Sequence, residues 1–148
     1  MRKIKAIFFI LIFFTSNSII ANNLNDAEKW IYSNVIDDMI ICNTYFLIAS
    51  EGLERSGHDE AEVLKKIYDE LFFITYQFSK KINLQDEALM SKFESSRDQQ
   101  LKLMDYDYVN LSLLTDKYGT SCKESFEDQF NARLHFWHLE AKKRFDWY

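Results

Sequence analysis

An all-α fold, an up-down-up-down four-helix bundle behind a signal peptide, is what this sequence predicts. Three observations carry it. Apolar residues recur at alternating three- and four-residue spacings along most of the chain, which places them on one face of a helix. Cap-like residues stand where the stripes begin, and cations or glycines where they end. The 148 residues contain no proline and only three glycines, a poor supply for a turn-rich sandwich or barrel.

The first 21 residues read as a leader. Arg2, Lys3 and Lys5 form a basic start, and Ala6 to Phe14 is an unbroken apolar run of nine. Small and polar residues follow, with Ile19-Ile20-Ala21 as a cleavage site and Ser18 as the alternative. This is the three-part pattern of a secretory signal peptide. The run is far short of the ~20 residues that cross a bilayer. No cysteine follows it to carry a lipid. Cleavage leaves a single domain, 22–148, and shifts the net charge from −5 to −8. The acidic balance gives no basic footprint for nucleic acid. No second long apolar stretch predicts a membrane span after cleavage. A periplasmic or secreted location follows.

Helix A is expected over about 26–54, with the stripe Glu28, Tyr32, Val35, Met39, Cys42, Phe46, Ala49, Leu53 and the cap signal Asn25-x-x-Glu28. Helix B, about 59–81, has Leu64, Ile67, Leu71, Ile74 and Phe78 after Asp59-x-x-Glu62. Helix C is read over 84–118 after Asn83-x-x-Asp86, with Phe93, Arg97, Leu101, Met104, Tyr108 and Leu111 on its stripe. Helix D, 121–143, starts at the capping box Ser121-x-x-Glu124 and carries Cys122, Phe126, Phe130, Arg133, Trp137 and Ala141. Short loops make neighbours antiparallel. At ~1.5 Å per residue helix C would reach ~50 Å, longer than its partners. The polar run Asp105 to Asn110 is where it would break, giving five helices as the alternative.

Cys42 and Cys122 both fall on predicted core stripes. In an exported chain with just two thiols, a structural disulfide is expected. The Cys-x-x-Cys spacing of a redox-active pair is absent.

His135 and His138 lie one helical turn apart, so two imidazoles can meet one ion. A further ligand is not evident, and haem held by His135 with Met39 or Met104 is the related alternative. Neither the di-iron Glu-x-x-His pair nor a Cys-x-x-Cys-His haem site is present. No metal or other cofactor is therefore expected, and both histidines read as helix surface residues. Arg97 and Arg133 interrupt apolar stripes. Arg97 is expected to run its stem outward to water. Arg133 is the better candidate for an internal ion pair, and Asp37, Asp38, Glu51 or Asp69 are the acids open to either arginine.

No nucleophile elbow, phosphate loop or zinc-protease motif occurs, so the sequence predicts no enzyme. The aromatics are more informative. Trp147 and Tyr148 follow the basic cluster Lys142-Lys143-Arg144, and Tyr106 and Tyr108 alternate with Asp105 and Asp107. Tyrosine and tryptophan are favoured interface anchors. The function expected is non-enzymatic binding of a protein or peptide by an exported bundle, of the immunity, chaperone or envelope-accessory kind. A metal- or haem-binding bundle centred on His135 and His138 is the alternative.

Overall fold

The computed structural model describes residues 24–124 and 130–146. The expected leader, Trp147 and Tyr148 lie outside them. The elements are α1 (Asp26–Arg55), α2 (Glu60–Lys81), α3 (Asp86–Leu103), α4 (Leu111–Leu114), α5 (Thr120–Glu124) and α6 (Phe130–Phe145). A 3-10 turn, Tyr108–Asn110, precedes α4, and a π-helical stretch, Thr115–Gly119, joins α4 to α5. No strand occurs among the described residues. The protein is an all-α bundle.

Helix α1 starts as its sequence says it should. The Asn25 side chain accepts from the Glu28 N–H at 2.9 Å, and the Glu28 carboxylate accepts from the Asn25 N–H at 2.9 Å. Two orphan donors are thus satisfied reciprocally. Two of the other expected caps do not form. Asp59 makes no capping bond, and Gln85 rather than Asn83 stands at the start of α3. Ser121 donates back to the Tyr118 carbonyl from inside a continuing helical run.

The first three helices end by one device. Gly57, Asn83 and Asp105 sit just past α1, α2 and α3 with φ of 73°, 56° and 54°. At each end two N–H groups fold back onto the last-turn carbonyls, for instance Asp105 N–H to Lys102 O at 3.1 Å and Tyr106 N–H to Leu101 O at 2.8 Å. This is the Schellman closure, and glycine, asparagine and aspartate are the residues that tolerate its left-handed position.

Helix α1, about 45 Å long at 1.5 Å per residue, is the axle, and α2, α3 and α6 all pack on it. Pairing shows their directions. Tyr32 meets Phe78 at 5.7 Å between ring centroids, so α2 runs down against α1. Asp37 meets Lys92, Thr44 meets Ser96 and Glu51 meets Arg97, so α3 runs up beside it. After α3 the chain reverses. Tyr45 meets Tyr118, Cys42 meets Cys122, Asp38 meets Trp137 and Trp30 meets Phe145, so α4, α5 and α6 all descend along α1.

This moves the third turn of the bundle. The expected helix C of 84–118 is two elements of opposite direction, and the fourth leg begins at Leu111 rather than at 121. The break lies in the polar run Asp105 to Asn110, the five-helix alternative. A second consequence concerns Cys122. It belongs to the middle of the descending leg, not to a turn, and its bond to Cys42 ties that leg to the middle of α1 with Cα atoms 5.1 Å apart. Both cysteines are buried.

The core is continuous around α1: Ile31, Val35, Ile36, Met39, Ile40, Phe46 and Ile48 from the axle, Leu71 and Phe78 from α2, Leu89 and Phe93 from α3, and Met104, Leu114 and Ala141 from the returning chain. Polar groups inside it bond mainly to their own helix. Thr44 and Thr75 donate to the carbonyls of Ile40 and Leu71, each at 2.7 Å. Asn43 is an exception: it is fully buried, and neither atom of its amide finds a partner among the described residues, where the buried Gln100 Oε1 is likewise unpartnered.

Two stability outcomes follow. The disulfide closes a loop of 80 residues, so replacing Cys42 and Cys122 together by alanine lowers the unfolding free energy by about 2–5 kcal/mol, read by denaturant titration. Asn43→Leu fills similar space without an orphan amide. It raises the same quantity by about 1–2 kcal/mol; a loss of stability would mean that the amide is in fact satisfied.

Candidate functional site

The reversal between α3 and α4 is the most unusual part of the surface. Its base is fixed from below. Met104 is fully buried, and the Asn110 side chain donates to its carbonyl at 3.1 Å. Asp107 caps the 3-10 turn, accepting the Val109 N–H at 3.0 Å. The Tyr108 hydroxyl donates to Glu51 on α1. The same carboxylate accepts from Arg97 Nη2 at 3.2 and 3.0 Å, and the Arg55 guanidinium lies 4.1 Å above the Tyr108 ring. Gly52 makes room for this: a Cβ there would meet Leu111 at 3.0 Å and Tyr108 at 3.1 Å.

Arg97 is therefore held by an acid, not sent outward alone as expected. Its charge is taken up by Glu51 because the reversal brings Tyr108 over the same carboxylate and half-buries the group. Burial raises the Tyr108 phenol above its ordinary value, and the hydrogen bond to Glu51 adds to this.

Above this base the side chains point outward. Val109 is 86 % exposed, Tyr106 57 %, Leu113 46 % and Leu103 37 %. Tyr106 follows Asp105 into the left-handed region, with φ of 58°. For a bulky residue that costs about 1–2 kcal/mol, and it persists only where the surroundings fix it. Here the Tyr106 hydroxyl donates to Asp98 at 2.9 Å, which holds the ring and raises its phenol pKa. The result is a set of exposed apolar and aromatic side chains on a hydrogen-bonded support.

Tyr106 and Tyr108, two of the residues singled out in the sequence, thus play different parts. One faces solvent and the other clamps the base. Leu103, Val109 and Leu113 were not singled out. Their spacing alone does not mark them, since Leu114, equally off the stripe of Leu101, Met104, Tyr108 and Leu111, is fully buried.

The other candidate residues lie elsewhere, on α6. Asp38 Oδ2 accepts from the Trp137 indole and pairs with Arg133, both at 2.9 Å. Phe136, Ala132 and these three residues line a shallow depression of about 380 Å³. Trp137 also meets Trp30 edge-on at 5.4 Å. This junction docks α6 on α1. His135 is exposed and His138 half-buried, one turn apart on α6. Among the described residues no three histidine, cysteine, aspartate or glutamate side chains gather closely enough to hold a metal ion.

Tyr108→Phe removes the clamp without disturbing the ring. It costs about 1–2 kcal/mol at neutral pH. The folded pKa of Tyr108 lies above 10.0, so the neutral phenol's contribution is complete below pH 10 and is lost as pH rises through the folded value. The wild-type stability therefore falls above pH 10, and the fall becomes shallower in Tyr108→Phe. Part of it remains, because Tyr32 and Tyr68 are also raised, chiefly by burial. Denaturant titrations across that range measure both.

No protein-family model, curated protein or solved structure matches this chain, and its functional reading rests on this geometry.

Proposed function

We propose that this is an exported, non-enzymatic binding module that engages a protein or peptide through the reversal between α3 and α4. One observation carries the reading: four apolar or aromatic side chains, Leu103, Tyr106, Val109 and Leu113, are exposed around a reversal whose Asp105 and Tyr106 are held in the left-handed region. Exposed apolar groups on a soluble surface mark interaction sites when they are grouped rather than scattered. A support fixed in advance lowers the ordering cost of association.

Export is supported by the disulfide, since such bonds persist in oxidising compartments. The basic and apolar pattern of the first 21 residues supports it independently. No described helix is long and apolar enough to cross a membrane.

The test is a photo-crosslinking amino acid placed at Val109 and, as a control, at Val63, which is also exposed but lies on α2. Both forms are irradiated in the producing cell. A discrete heavier adduct from position 109 that is absent from position 63 is the expected result. Equal labelling at both positions, or none at 109, overturns the reading.

A further inference from the structure

We draw no further inference here: the strongest candidate, the outward face of α6, where the exposed Phe136 and Leu139 stand beside the shallow depression lined by the Asp38–Arg133 pair, carries nothing because nothing in the structure shows what covers it, and the cations at the end of that helix, Lys142, Lys143 and Arg144, are interspersed with Glu140 and Asp146.

Discussion

From Val35 to Ser50, Ile41 is the one exposed residue of α1, and Asp37, Asp38 and Leu47 are half-buried; the other twelve are buried. A helix apolar nearly all round must be covered on every side, and this sets the rest of the architecture. One antiparallel neighbour cannot cover it, and neither can two. The chain supplies α2 on one flank and α3 on another, then has to return along a third with what is left. If helix C ran straight on from 84 to 118, the stretch carrying Leu111, Leu114 and Tyr118 would pass beyond the end of α1. Reversing after Leu103 brings that stretch back over the axle, and the Cys42–Cys122 bond fixes it there.

Polar side chains inside so crowded a helix have to be dealt with locally. Thr44, Ser50, Thr75 and Ser79 each donate to a carbonyl of their own helix three or four residues back. The hydroxyls of Ser50, Thr75 and Ser79 are thus satisfied within their own helix, and that of Thr44 also bonds across to Ser96 on α3 at 2.7 Å. Gln100 does reach across, donating to the Ile41 carbonyl and to Thr44, each at 2.8 Å, and thereby stitches α3 to the axle. Asn43 is handled by neither route, and with the unpartnered Gln100 Oε1 it is a local conflict among the described residues of the core.

The reversal joins architecture to function. It reverses the chain within a few residues, without glycine at either left-handed position, and the strain is held by bonds to α1 and α3 rather than relieved. A flexible connection would have reversed the chain equally well. What the rigid one adds is a fixed outward display of Tyr106, Val109 and Leu113. Its inward half, Met104, Tyr108 and Leu111, belongs to the packing of α1. The spacing of the apolar residues divides this stretch into a side that packs on α1 and a side that is exposed, the side proposed for binding.

How much of this was legible beforehand depended on range. Helix content, the ends of α1 and α2, the pairing of two lone cysteines and the weak point at Asp105 to Asn110 are local or nearly so. Periodicity, cap chemistry and redox compartment reach them directly. The direction of the chain after Leu103 is not local. A stripe of Leu101, Met104, Tyr108 and Leu111 suits one continuous helix as well as it suits a reversal, because both place those residues inward. The choice was made by α1, whose uncovered flank buries more apolar surface than a straight continuation offers. Arg97 shows the same limit. Its sequence neighbours suggest an outward stem, but Glu51 lies forty-six residues away and only the packing of α3 on α1 brings it within reach. Sequence by itself determined which segments are helices and where their backbone yields. Tertiary structure alone decided which face of the yielding segment would be buried, and therefore which was left exposed, because that depends on surface contributed by a helix distant in the chain.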